Sequence, residues 1–168
     1  GAVLGLKDVI FLDYPDGRLQ ATIELRREIV RVLRKYRPKR LICQSPERTW
    51  EPMMFVGRYH PDHLAAGEAV IQAVYPASQN PWDFPELMEE GLLPHKVNEI
   101  YIMGAPHVNY FVDVSETIDK KIEALMCHKS QFIGREQDVE KFVRDRIADL
   151  GKKYWVAFAE EFHRTENR

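Results

Sequence analysis

The sequence is short of cysteine, of net charge and of long apolar runs, and each shortage excludes a class of protein. Cys43 and Cys127 are the only cysteines among 168 residues, too few for a disulfide framework and without metal-ligand spacing. A formal net charge of -2 gives none of the basic surface that nucleic-acid binding requires. No apolar run approaches the roughly 20 residues that cross a bilayer. We therefore expect a soluble, cytoplasmic protein with two buried free thiols, no nucleic-acid partner and no membrane span.

The first part of the chain has the pattern of a parallel α/β sheet. Residues 2–5 resemble the last turn of a helix closed by a glycine, and the apolar run at residues 9–12 predicts a buried strand. An amphipathic helix is expected over residues 22–36, with arginine and lysine on its solvent side. Its apolar face consists of Leu25, Ile29, Val32 and Tyr36. A second strand at residues 40–43 completes a βαβ unit, which predicts parallel strands with a right-handed crossover.

The rest of the chain continues the alternation of helices and strands. Residues 44–59 are expected to form a loop beyond a strand end, where α/β proteins bind ligands, and the alternative that this loop only covers the sheet stays open. Helices are expected at 61–74, 85–90, 115–128 and 136–150, strands at 99–103 and 111–114, and either state at 154–162. We predict a single Rossmann-like domain over residues 1–168. It would have three αβα layers and a mainly parallel sheet, and would lack its N-terminal strand or strands because the chain starts at a helix end.

Two histidines three residues apart begin the helix predicted at 61–74. At this spacing the side chains of His60 and His63 reach the same side of the helix. Neutral imidazole is a common zinc ligand, and Asp62 between them could orient one ring. The same residues also suit an ordinary helix start, because the helix dipole favours a carboxylate there. Spacing alone therefore leaves a metal or catalytic site and a plain helix cap both open.

Four segments, taken together, resemble the PIG-L/LmbE-like deacetylases. They are DYPDGRL at residues 13–19, HPDH at 60–63 with AAG at 65–67, VDVS at 112–115, and KIEAL at 121–125 with His128, Ser130 and Gln131. The segments follow the family's order and cover most of the chain. Members of this family remove acetyl groups from N-acetylglucosamine-containing molecules with the help of zinc. The resemblance implies the same reaction here, on a small amino-sugar substrate and in a homo-oligomer.

The resemblance also implies roles for individual residues. His63 matches a zinc ligand of the family. His60 matches the histidine that, as imidazolium, stabilises the oxyanion or protonates the leaving amine, and Asp62 matches the carboxylate that tunes this histidine. Arg18, in the turn after the first predicted strand, matches an arginine that positions the substrate. Without the resemblance, Arg18 would be an ordinary solvated turn residue.

One family motif has no counterpart in this sequence. The family's His-Pro-Asp-Asp segment supplies two zinc ligands and the general base, and HPDH at residues 60–63 already fills the later motif. A catalytic zinc commonly has three protein ligands and a water. We therefore expect the chain to be the C-terminal portion of a longer enzyme. Two alternatives stay open, a relic that binds the sugar without turnover and a structural or assembly domain whose histidines only cap a helix.

Overall fold

The computed structural model describes residues 1–50 and 59–168, which pack as two compact units. The small unit consists of Gly1–Phe11 and Tyr110–Glu161, and the large unit consists of Leu12–Asn109 and Phe162–Arg168. The division into units leaves the single domain over residues 1–168 a prediction.

Helices and strands alternate along both units. The large unit contains α1 (Ile23–Tyr36), β1 (Arg40–Gln44), α2 (Pro61–Gln72) with a kinked π-helical extension (Ala73–Ala77), α3 (Pro85–Glu89) and β2 (Glu99–Met103). The small unit contains β3 (Tyr110–Asp113), α4 (Ile118–Met126), α5 (Lys129–Phe132) and α6 (Glu136–Lys153), and β4 (Ala159–Glu166) runs from the small unit into the large one. Most predicted elements are therefore confirmed, with ends that differ by a few residues. Of the tail at residues 154–162, for which the sequence allows either state, only residues 159–162 belong to a strand, β4.

The strands form one mixed sheet in the order β1-β2-β4-β3. β1 and β2 are parallel, with Arg40 opposite Glu99 and Gln44 opposite Met103. β4 is antiparallel to β2, with Phe162 opposite Met103. The α/β class is confirmed, but the predicted mainly parallel sheet is not, because only β1 and β2 form a parallel pair among the strands that the structure describes. The carboxyl ends of these two strands, at Gln44 and Met103, lie at the same edge of the sheet.

Helix α1 forms where local signals place it. The Thr22 hydroxyl accepts a hydrogen bond from the Leu25 N–H at 3.2 Å, which caps the first turn. The helix ends where Arg37 takes a left-handed conformation with φ of 49°. Val30 and Leu33 are buried in the core of the large unit, whereas Tyr36, expected on the apolar face, is 45% exposed. The predicted helix is confirmed, but its buried face is rotated from the predicted one.

Arg34 is expected on the solvent side of α1 with the other arginines and lysines, but it is buried. Its side chain is buried and donates hydrogen bonds to four backbone carbonyls, at distances of 2.9 to 3.2 Å. The carbonyls belong to Ala77, Ser78, Asn80 and Asp83. Burial lowers the pKa of the Arg34 guanidinium, and the nearby Asp83 and Glu86 carboxylates oppose this. Arg34 thus holds the loop after α2 in place, because a guanidinium offers five donors in a fixed plane.

The predicted strand at residues 9–12 is wrong. This segment has no regular structure, and Val9 and Phe11 are 51% and 78% exposed. An apolar run becomes a strand only when a partner strand accepts its hydrogen bonds and a core covers one face. The described residues provide neither for it, so they contain no βαβ unit around α1. The turn before this segment does have a helix-end pattern, because Gly5 and Leu6 donate to the carbonyls of Ala2 and Gly1 and Gly5 has φ of 70°.

Ser115 does not cap the helix predicted over residues 115–128. Helix α4 starts later, after Thr117. The Ser115 hydroxyl instead donates to the Asp113 carboxylate and accepts a hydrogen bond from the Phe158 N–H at 3.1 Å. The hydrogen bonds that Ser115 donates hold down the pKa of Asp113. Ser115 therefore joins the end of β3 to the segment before β4.

The two cysteines, both expected to be buried free thiols, differ in their exposure. Cys43 is a buried free thiol, as predicted, and burial raises its pKa to about 11. Cys127 is free but exposed, because it caps the end of α4 beyond the buried residues Ile118 and Ile122. Among the described residues, no helix combines the length and the apolar character that a membrane span requires.

Candidate functional site

A small pocket of about 60 Å³ lies at the carboxyl ends of the two parallel strands. It is lined by Gln44, Ser45, Glu47, Tyr59, His63, Leu64, Met103 and Gly104. Ser45 is buried, and its N–H donates to the carbonyl of Met103 at 2.9 Å, which joins the two strand ends. Open α/β sheets bind ligands at this edge, so the pocket is the candidate site.

Helix α2 starts beside this pocket because its first turns pack tightly on the end of β1. A Cβ atom on Gly67 would lie 2.5 Å from the carbonyl oxygen of Gln44 and 2.9 Å from the nitrogen of Pro46. No other residue type allows such an approach without a shift of the backbone. Gly67, part of the family-like AAG segment, therefore fixes the distance of α2 from the strand end and places His63 in the pocket lining.

His60 and His63 lie on the same side of the helix start, as their spacing predicts. Their ring centroids are 5.3 Å apart. The Nδ1 atom of His60 accepts a hydrogen bond from the Asp62 N–H at 3.3 Å, so His60 is the N-cap of α2. Because Nδ1 is the acceptor, the neutral ring carries its proton on Nε2. His60 therefore caps the helix and keeps an N–H donor available to a ligand.

The Asp62 carboxylate contacts the turn that contains Arg18. Its Oδ2 accepts from the Gly17 N–H at 2.7 Å, and its Oδ1 accepts from the Leu19 N–H at 3.1 Å. The turn is closed by a hydrogen bond from the Arg18 N–H to the carbonyl of Pro15. The structure thus brings the Arg18 turn to the N-terminus of α2, although the Arg18 side chain is exposed.

Comparison with known sequences finds a family that the first part of the chain matches. Residues 1–74 match the family described as PIG-L: GlcNAc-PI de-N-acetylase. The resemblance to the PIG-L family is confirmed. The matched residues include the Arg18 turn and the His60–His63 segment, so the PIG-L match covers the four predicted site residues.

Relatives of this chain have names that describe deacetylases. The chain is 38% identical over 162 residues to diacetylchitobiose deacetylase of Thermococcus kodakarensis, a match that covers 94% of the chain and 57% of the relative. It is 30% identical over 149 residues to probable N-acetyl-alpha-D-glucosaminyl L-malate deacetylase 2 of Bacillus anthracis, which covers 88% of the chain and 59% of the relative. The chain therefore spans less than two thirds of the length of these relatives.

Solved structures with the same fold extend over nearly the whole chain. The N,N'-diacetylchitobiose deacetylase from Pyrococcus horikoshii, in complex with an inhibitor, superposes with a TM-score of 0.84 at 28% identity. That match covers 98% of this chain and 59% of the other. A conserved protein from Thermus thermophilus gives a TM-score of 0.74 at 24% identity, with 96% and 67% covered, and supports the fold alone.

The described residues include one group with the chemistry of a metal site. One potential ligand atom from each of Asp16, His60 and Asp62 lies within 4.8 Å of the other two. An imidazole nitrogen with carboxylate oxygens is a donor set that zinc accepts. His63, the ligand that the resemblance implies, is outside this group but lies next to His60. The chemistry of the residues therefore fits a divalent metal.

Sequence analysis missed three groups near this site. The sequence predicts Asp16 only as part of a turn, although Pro-Asp-Gly in a family-like motif is a signal for it. Glu47 and Tyr59 line the pocket and belong to the predicted ligand-binding loop at residues 44–59. The Tyr59 hydroxyl accepts from the Thr49 N–H at 2.9 Å and donates to the Thr49 carbonyl at 3.0 Å. Residues 51–58 of that loop lie outside the described residues.

Proposed function

We propose that this chain provides part of the active site of a zinc-dependent hydrolase that removes the acetyl group from an N-acetylglucosamine-containing substrate. The placement of His63 in the pocket lining and of His60 beside it, at the carboxyl ends of β1 and β2, is the observation that carries the proposal. The deacetylase names of the relatives and the match to the PIG-L family support the reaction class. We expect the substrate to be a small amino sugar and the protein to form a homo-oligomer, as the resemblance implies.

As the resemblance implies, His63 would be the zinc ligand of this chain. In the group of Asp16, His60 and Asp62, by contrast, the Nδ1 of His60 and the Asp62 carboxylate already accept hydrogen bonds from backbone N–H groups. When bound, zinc would polarise the acetamide carbonyl and lower the pKa of a bound water. His63 suits this role because it belongs to the first turn of a helix that is fixed against the strand end by Gly67. A rigid backbone is what a metal ligand requires, because ligand distances must be held near about 2 Å.

His60 would act on the oxygen of the substrate carbonyl and on the leaving amine. Its Nε2–H is the donor left available by the N-cap bond at Nδ1. A donor aimed at the place where negative charge develops stabilises the transition state more than the ground state. To protonate the leaving amine, His60 would first have to become imidazolium by taking up a proton at Nδ1, which would break the N-cap bond. Arg18 would bind the sugar from the adjacent turn. The residue that takes a proton from water is not assigned on this chain.

Acetate release and metal content test this proposal. We expect the full-length protein to release acetate from N-acetylglucosamine or diacetylchitobiose, and His63→Ala to lose both zinc and activity. His128→Ala is the matched control, because His128 is exposed and outside the pocket lining. Full activity in His63→Ala would refute the assignment. Sugar binding without acetate release would instead support the sugar-binding relic.

A further inference from the structure

The Asp62 carboxylate does not cap the helix whose first turn contains it. A carboxylate in the first turn normally caps free N–H groups or interacts with the helix dipole. Here the N-cap acceptor is Nδ1 of His60, which binds the N–H of Asp62 itself. The carboxylate is therefore available for partners elsewhere in the chain. Both of its oxygens bind backbone N–H groups more than 40 residues away in sequence, those of Gly17 and Leu19.

The two anchored N–H groups lie on either side of Arg18. Gly17 has φ of 76°, a conformation that glycine adopts without strain, and it lets the chain turn so that both N–H groups face one carboxylate. The Arg18 N–H itself closes the turn through the carbonyl of Pro15. Three consecutive N–H groups of the turn are thus fixed, two of them by Asp62. The Asp62 carboxylate therefore ties the backbone on both sides of Arg18 to the first turn of α2.

We propose that Asp62 is a positioning residue for Arg18. It anchors the turn of residues 15–19, defined here as the DGR turn, to the N-terminus of α2, so that Arg18 is presented to the substrate beside His60. This inference rests on the proposed function, and it differs from the role in tuning His60 that the resemblance implies. Charge-assisted hydrogen bonds to N–H groups are about twice as strong as neutral ones, which suits an anchor across a long stretch of chain.

Hydrogen exchange of the Gly17 and Leu19 amides, measured by NMR on the chain, tests the anchor without any assay of activity. Asp62→Asn keeps the size of the side chain but has one acceptor oxygen, and its NH₂ group would face an N–H donor. We expect both amides to exchange about 10- to 100-fold faster in this variant, the effect of losing a hydrogen bond to a charged group. Asp62→Glu keeps both acceptors and should retain part of the protection. Unchanged exchange in Asp62→Asn would overturn the anchor.

Two controls separate a loosened turn from a protein that no longer folds. Glu68→Gln removes a different carboxylate from the same helix, one that accepts from Gln72, and should leave the exchange of Gly17 and Leu19 unchanged. The amide of Leu33 in the buried part of α1 should keep its protection in all variants. If Leu33 loses protection together with the turn in both Asp62→Asn and Asp62→Glu, Asp62 is a general folding residue and the proposal is refuted.

Kinetics of the full-length protein test the consequence for substrate. If Asp62 acts through Arg18, Asp62→Asn and Arg18→Ala should both raise KM by about tenfold with little change in kcat. The double variant should then be no worse than Arg18→Ala alone, because residues that act as a unit are non-additive. A change in kcat or in its pH profile, additive with Arg18→Ala, would instead favour tuning of His60 and refute the proposal. Absence of activity in the unmutated protein would contradict the proposed function, whereas the exchange experiment would still decide the anchor.

Discussion

The contact of Gly67 with the end of β1 leads to the sharpest prediction about this site. In Gly67→Ala, the new Cβ would lie 2.5 Å from the carbonyl oxygen of Gln44, and α2 must move by about 0.5 Å before this distance reaches 3.0 Å. Overpacking of this kind costs about 1–3 kcal/mol. The higher helix propensity of alanine offsets up to about 1 kcal/mol of this cost. We therefore expect the free energy of unfolding to fall by about 1–2 kcal/mol.

Gly151→Ala is a matched control for this variant. Gly151 is also in a helix, and its Cβ would lie 2.6 Å from the carbonyl oxygen of Val156, but it belongs to the small unit and is not in the pocket lining. Urea unfolding should show a comparable loss of stability in both variants. Only Gly67→Ala should weaken zinc binding and acetate release by the full-length protein, because His63 lies four residues earlier, on the same side of α2.

Displacement of a catalytic group by about 1 Å can lower a rate by roughly 100-fold, so a shift of half that size is large enough to detect. A Gly67→Ala variant as stable as the unmutated protein would refute the close packing of α2 on β1. An equal loss of zinc in Gly151→Ala would show that the effect is global and does not act through the position of His63.

Three further predictions concern groups outside the pocket. Arg34→Met should lower the free energy of unfolding by about 2–4 kcal/mol in urea, because buried carbonyls lose their donors, and Arg34→Lys should recover only part of this. At pH 8, iodoacetamide should label the exposed Cys127 within minutes but Cys43 only after unfolding, because burial keeps the Cys43 thiol protonated and inaccessible. Burial raises the pKa of Glu161, but hydrogen bonds from Lys153 and the Tyr154 hydroxyl outweigh burial and lower the pKa overall. The stabilisation that Glu161 contributes should therefore be complete above its unfolded pKa and lost as pH falls through its folded pKa. Glu161→Gln should flatten the acid limb of a stability-versus-pH curve.

Features with local causes were predictable from the sequence. Helix α1 has a capping hydroxyl at Thr22 and a periodic apolar face, and both act within a few residues. The apolar run at residues 9–12 gave an equally clear signal for a strand, yet Phe11 is 78% exposed. A strand depends on a partner that can be anywhere in the chain. The sequence shows which residues could pair but not whether a partner lies beside them.

The antiparallel strand that makes the sheet mixed could not be predicted from the sequence, for the same reason. In β4, the buried residues Ala159 and Phe162 are three positions apart, so the strand has no simple alternation of apolar and polar residues. Its position is set by pairing with β2, where Thr165 lies opposite Ile100 and His163 opposite Ile102. Sequence alone supported a parallel sheet because the β1 and β2 segments are short and apolar, and an antiparallel strand of polar composition gave no opposing signal.

In the site, too, features with local causes were predictable and features with distant partners were not. The common side of His60 and His63 follows from helical spacing and was predictable. The partner of Asp62 was not, because helix-start chemistry already explained a carboxylate at that position. In the structure, Nδ1 of His60 is the capping acceptor. The Asp62 carboxylate is thereby available to the turn around Arg18, where it accepts two backbone hydrogen bonds. A side chain with a sufficient local explanation can still owe its function to a distant partner, and only the three-dimensional structure distinguishes the two.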